Sequence, residues 1–188
     1  EMGDEDSLRT LDEQIAEVSA EQILMDDEEP RLKELLLAAN EVASETKIEQ
    51  IVDIIKSRFP GQRVLLFTEY KATQSLVMSA LMQEFGSGCV TFINGEHRAE
   101  GVVDDTGKSR NLTEDRESAA EKFNTGVVRF LVSTEAGGEG IDLQERCSVL
   151  IHVDLPWNPM RLHQRVGRLN RYGQKNQVRV VSLRNPDT

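Results

Sequence analysis

Two stretches of this sequence combine residue types that can handle phosphate. The first is Ser133-Thr134-Glu135-Ala136-Gly137-Gly138-Glu139-Gly140-Ile141-Asp142-Leu143, which follows directly on the apolar run Phe130-Leu131-Val132. Its glycines permit positive φ and close backbone approach to a ligand, and Ser133 and Thr134 bring hydroxyls to the end of the run. Alone, that composition also fits a tight turn that binds nothing. The second stretch is more specific. Asn158 can cap a helix whose first residue is Pro159, and the chain continues Met160-Arg161-Leu162-His163-Gln164-Arg165-Val166-Gly167-Arg168-Leu169-Asn170-Arg171. At about 100° per residue, Gln164, Arg168 and Arg171 fall within roughly 60° of one another on one helix face, with Arg165 displaced from its centre. Guanidinium groups are permanently charged forks that match phosphate oxygens, so Arg168 and Arg171 can bracket a γ-phosphate and its leaving group. Gly167 costs such a helix about 1 kcal/mol relative to Ala, which points to close backbone approach there.

Two other sequences imitate phosphate sites and fail on spacing or context. Gly107-Lys108-Ser109 resembles the end of a Walker A loop, but the residue where the motif requires its first glycine is Val102, and Gly101 comes one position too early. Asp104 and Asp105 would also repel phosphates. Asp154 imitates a Walker B acid at the end of an apolar run. Leu155-Pro156 follow it, and with no Walker A beside it a loop-ordering role is expected.

The elements that must position these residues are legible from Arg63 onward. Short apolar runs at Val64–Phe67, Val90–Ile93, Phe130–Val132, Val149–Val153 and Val178–Val181 suit strands buried on both faces. Helical patterns at about 71–85, 114–124 and 159–171 lie between them. The alternation predicts an α/β fold of three layers, a mainly parallel central sheet with right-handed crossovers and helices on both faces. Ligands of such sheets bind beyond the carboxyl ends of the strands, where both phosphate-handling stretches begin. The polar, aperiodic segment 97–112 reads as a surface loop. Ahead of the sheet, Leu8, Leu11, Ile15 and Val18 mark a short amphipathic helix, Leu32 and Leu35–Leu37 a second, and Thr46 with Glu49 opens a third. The chain therefore divides into an acidic helical segment, 1–30, and a main domain, 31–188.

Charge is unevenly distributed along the 188 residues, whose net charge is −11. Residues 1–50 carry 16 acids and 4 bases, whereas 51–188 carry 17 acids and 18 bases. From Arg161 to Arg184 there are seven Lys/Arg and no acid, a local cationic surface suited to nucleic acid or equally to a solvated face. Cys89 and Cys147 have no CxxC or Cys/His spacing, so neither a zinc site nor a disulfide framework is expected. No apolar run approaches the roughly 20 residues of a membrane span and no signal peptide is evident, so a cytoplasmic setting without membrane partners is expected.

The two phosphate-handling stretches resemble helicase motifs V and VI. The segment Gln164–Gln174, ending Arg171-Tyr172-Gly173-Gln174, is similar to motif VI of Swi/Snf-type superfamily-two ATPases; Asp154–Pro159 resembles the segment that precedes it, and Leu66–Tyr70 resembles motif IV. The likeness extends from about Leu32 to the end and is nearest in flavour to the bacterial and archaeal RapA-like branch. It implies a C-terminal RecA-like lobe of a larger, DNA-dependent ATP hydrolase, a translocase on double-stranded DNA. ATP and Mg2+ would be held mainly by the N-terminal RecA-like lobe of the same protein. Arg168 and Arg171 would then be arginine fingers, Gln164 and Gly140 would line the lobe interface, and Asp142 would meet the ribose. Thr68, Asn94, Gly95 and Thr134 would lie near the nucleic-acid backbone. Because Walker A is absent, the isolated chain is expected to be inactive, and 97–112 looks like an insertion. A strand-separating RNA or DNA helicase lobe, or a non-catalytic interaction module on the same fold, are the alternatives.

Overall fold

A computed structural model describes residues 46–135 and 141–183. The expected helices ahead of Thr46, the 30/31 boundary and the glycines at 137–140 lie outside the described residues. The compact unit that holds the sheet begins at Thr46.

Helix α1 (Thr46–Arg58) starts where Thr46 was expected to open a helix, with Glu49 in its first turn and Lys56 and Arg58 in its last, complementing the helix dipole. Then come β1 (Val64–Thr68), α2 (Lys71–Phe85), β2 (Val90–Ile93), β3 (Arg98–Val103), β4 (Ser109–Thr113), α3 (Arg116–Thr125), β5 (Phe130–Thr134), β6 (Val149–His152), α4 (Pro159–Val166) and β7 (Arg179–Ser182). Five strands form one sheet in the order β2-β5-β1-β6-β7, and every pairing in it is parallel. All residues of β1, β2, β5 and β6 are buried, as continuous apolar runs require, whereas the edge strand β7 is mostly exposed. Successive side chains alternate between two cores. Val64 and Leu66 join Ile51, Ile55, Met78 and Leu81 from α1 and α2, while Leu65 and Phe67 join Ala119 and Phe123 from α3 and Leu169 beyond α4.

Three expectations need correction or sharpening. Segment 97–112 is not a structureless loop: β3 and β4 form an antiparallel hairpin whose Ala99 and Val102 are buried in the core shared with α2. The Gly107-Lys108-Ser109 imitation of a phosphate loop is the hairpin turn. Asp104 closes it, accepting from Thr106 Oγ1, Thr106 N and Lys108 N and pairing with Arg110 at 2.6 Å. The Thr106 hydroxyl first, then the Lys108 N–H, pull the Asp104 pKa down to about 2. Finally, α4 ends at Val166 rather than near 171, and the chain continues in tight turns, with Arg168 N donating to Arg165 O and Leu169 N to Val166 O. Gln164 lies within the helix while Arg168 and Arg171 lie beyond it, so the three do not share one α-helical face.

Gln74 ties the sheet's carboxyl ends to α2. Fully buried, it donates to Ile93 O at 3.1 Å and Val132 O at 2.8 Å, and accepts from Asn94 Nδ2 at 2.8 Å. Gln74→Leu keeps the volume but strands these partners, so urea unfolding is expected to show a loss of about 2–4 kcal/mol; a loss under about 0.5 kcal/mol would mean the network contributes little.

Candidate functional site

Beyond the carboxyl ends of β1, β2 and β5 lies an open groove of about 770 Å3, whose lining includes Lys71, Gly95, Thr134, Glu135, Gln164 and Arg168. Its walls come from strand ends and from α4. The start of α4 is fixed as the sequence implies: Asn158 Oδ1 accepts from Met160 N at 2.9 Å, and Pro159 occupies the first turn.

Arg165 organises the groove from behind. Its side chain is 2% exposed, a costly position for a charge unless it is fully partnered. Nε and Nη2 approach Glu135 Oε1 at 3.1 and 3.0 Å, Nη1 donates to Asp154 O at 2.8 Å, and the guanidinium lies over the Phe67 ring at 5.5 Å. Asp154 continues the network by accepting from Thr68 Oγ1 at 2.5 Å and Glu69 N at 3.0 Å. Its expected loop-ordering role is thus visible as a tie between β1, β6 and α4. Glu135 also holds Arg161 at 2.6 Å, and Lys71 pairs with Glu96. Among the described residues Arg168, half-buried on the groove wall, has no carboxylate partner.

The residues singled out by sequence separate into groups. Gly95, Thr134, Gln164 and Arg168 meet around the groove. Arg171 is not on its wall; exposed, it pairs with Asp142, also exposed. Thr68 is fully buried with its hydroxyl given to Asp154, and Asn94 is buried against Gln74 and Arg98 O, so both brace the rim from within. Gly140 lies outside the described residues. Sequence reasoning passed over Arg165, Glu135 and His152. A signal existed for Arg165, which shares the apolar side of the helix with Leu162 and Val166; a charge on a buried face demands partners.

The helicase conserved C-terminal domain family matches residues 46–173, from the first turn of α1 through Gly173. This chain belongs to that family. Relatives of this helicase C-terminal lobe include the uncharacterized ATP-dependent helicase YqhH of Bacillus subtilis (strain 168), 36% identical over 156 residues, covering 83% of the chain and 24% of that protein. The CHD3-type chromatin-remodeling factor CHR7 of Arabidopsis thaliana is 30% identical over 172 residues, covering 90% of the chain and 13% of that protein. The lobe thus spans a quarter or less of the length of these relatives. The C-terminal part of the Fun30 ATPase domain shares its fold, with a TM-score of 0.62 at 21% identity, covering 77% of this chain and 42% of that one. The Swi/Snf-type resemblance and the RecA-like architecture expected from motifs V and VI are those of its relatives. Among the described residues no helix is long and apolar enough to cross a membrane.

His152 gives the site a pH signature. Burial first, then the neighbouring Arg165 charge, lower its pKa from 6.5 to about 4, while Asp154 opposes the shift. Its ring nitrogen Nδ1 lies 3.4 Å from Arg165 Nη1 and acts as acceptor while neutral. The unfolded chain binds this proton more readily, so the contribution is complete above about pH 6.5 and fades as pH falls towards 4. Urea midpoints measured from pH 7 to pH 4 should fall with a His152 component on the order of 3 kcal/mol. In His152→Gln that component should vanish; an unchanged pH slope would remove His152 as its source.

Proposed function

We propose that this lobe is the second motor lobe of an ATP-dependent translocase acting on double-stranded DNA, presenting arginine to ATP held by a partner RecA-like lobe of the same protein. The observation that carries the reading is Arg168, which lines the groove without a carboxylate partner among the described residues, while Lys71, Arg161 and Arg165 beside it are each neutralised. An unpaired guanidinium in a partly desolvated groove is matched to an anion arriving from outside. The donor set therefore suits a phosphate end, with the Gln164 amide alongside. This reading assigns Mg2+ to the other lobe, together with the nucleotide phosphates that it accompanies.

ATP, when bound, would close the two lobes, and its hydrolysis would reopen them. Arg168 stabilises charge as it develops, a contribution of about 10³–10⁵ in rate where arginine fingers supply it. Arg171 joins it by exchanging Asp142 for phosphate, which releases the Asp142 carboxylate for a ribose hydroxyl. Gly140 completes the lobe interface. Thr134 and Gly95 offer a hydroxyl and a backbone N–H to the nucleic-acid backbone, contacts that carry no sequence information, while Thr68 and Asn94 hold that rim in shape. Duplex DNA is favoured over strand separation by the Arg171-Tyr172-Gly173-Gln174 ending and by the CHD3-type chromatin-remodeling names among the relatives.

In the full-length protein, Arg168→Ala should lower nucleic-acid-stimulated ATPase about a thousandfold or more. Near-normal turnover would remove Arg168 from the mechanism, and a parent protein that neither binds nor hydrolyses ATP would favour an interaction module. Duplex DNA, single-stranded DNA and RNA compared at one salt concentration should show the largest stimulation with duplex DNA.

A further inference from the structure

The far side of the sheet carries a second hollow, of about 630 Å3, lined by Gln62, Arg63, Arg146, Ser148, Asn176 and Arg179 among others. It opens at the amino ends of the strands, since Val64, Val149 and Arg179 begin β1, β6 and β7. The length of β1, about 13 Å from its first to its last Cα, separates it from the groove.

Arg63, Arg146 and Arg179 all line this hollow, and among the described residues no acid lines it. Among the described residues none of the three has a carboxylate partner. Two are held in place by neutral groups. Arg179 lies over the Phe59 ring at 4.8 Å, donates to Gln62 Oε1, and is fixed through its backbone N–H to Ser148 O at 2.7 Å. Arg63 donates to Asn124 O at 3.4 Å and lies against Gly126, where a Cβ would come within 1.8 Å of Arg63 Nη2. Like charges gathered without counter-charge repel one another, and orientation before binding removes part of the ordering cost of a ligand.

We infer that this hollow is an oxyanion site, separate from the motor groove, for a multiply charged phosphate group on a small molecule. A carboxylate is satisfied by one guanidinium fork, and a phosphodiester in a nucleic-acid chain carries one charge. Three forks, with the Ser148 hydroxyl and the Asn176 amide beside them, match a terminal phosphate or a pyrophosphate, whose several oxygens carry about two negative charges or more.

Inorganic pyrophosphate titrated into the 188-residue chain at low, fixed salt tests this by calorimetry and by amide NMR shifts. Shifts are expected at Arg146, Ser148 and Asn176 as a set of their own, separable by the variants below from any at Lys71, Gln164 and Arg168 in the motor groove. Arg146 is exposed with no side-chain bond or ion pair among the described residues, so Arg146→Gln should fold normally and weaken binding about tenfold or more, the loss of one charge-assisted contact. Arg168→Gln should leave the affinity of this site unchanged. The proposal is overturned if millimolar pyrophosphate does not bind, if Arg146→Gln binds as tightly as the parent, or if Arg168→Gln carries the loss. A short phosphodiester oligomer that binds through Arg146 as tightly as pyrophosphate would equally overturn the choice of a terminal phosphate.

Discussion

A guanidinium withdrawn from water must be met on nearly every side, and Arg165 draws three strand ends together to do so, through hydrogen bonds at Nε and Nη1 and through the nearby Glu135 and Asp154 charges at Nη2. Glu135 comes from the end of β5, Asp154 and His152 from the end of β6, and Phe67 from β1. The effective penalty of burying an ion is several kcal/mol, so the site holds its shape only while those partners stay in place. Asp154 carries the constraint onward to Thr68 and Glu69, and Glu135 carries it to Arg161. The rim of the groove is thus set by one buried charge, and α4 is anchored to the sheet through Arg165 in its last turn.

That arrangement divides the arginines by role. Arg165 is consumed by the protein, Arg161 is shared between Glu135 and Glu69, Arg171 is paired with Asp142 at the surface, and Arg168 faces the groove without a carboxylate partner among the described residues. Helix periodicity through residue 171 would have grouped Arg168 and Arg171 with Gln164 by angle. Beyond Gly167, Arg168 N and Leu169 N bond three residues back and tighten the chain into a turn, and Arg168 stays with Gln164 on the groove while Arg171 lies off it. In the proposed mechanism the same turn brings Arg168 forward while Leu169 remains fully buried beneath it.

The sheet was legible because its four fully buried strands are continuous apolar runs, a pattern with few alternatives once helices alternate with them. The hairpin was not. Its two buried apolar residues, Ala99 and Val102, stand three apart because the register shifts between them, and this break in the two-residue period hides a strand among polar side chains. Groove residues were legible where chemistry and position coincide, as at Gln164, Arg168 and Thr134. Thr68 and Asn94 were recognised as important, but their side chains turn inward to Asp154 and Gln74, a direction that spacing alone does not reveal. Arg165 is hidden by the polarity of its sequence neighbours, although it shares the apolar side of the helix with Leu162 and Val166.

The division between a structural and a free arginine is tested most directly by comparing urea unfolding of Arg165→Ala and Arg168→Ala in the same chain at pH 7. Removing one partner of a buried ion pair should cost about 3–5 kcal/mol at Arg165, whereas Arg168→Ala should stay within about 0.5 kcal/mol of the parent. Equal losses at both positions, or a larger loss at Arg168, would contradict the account.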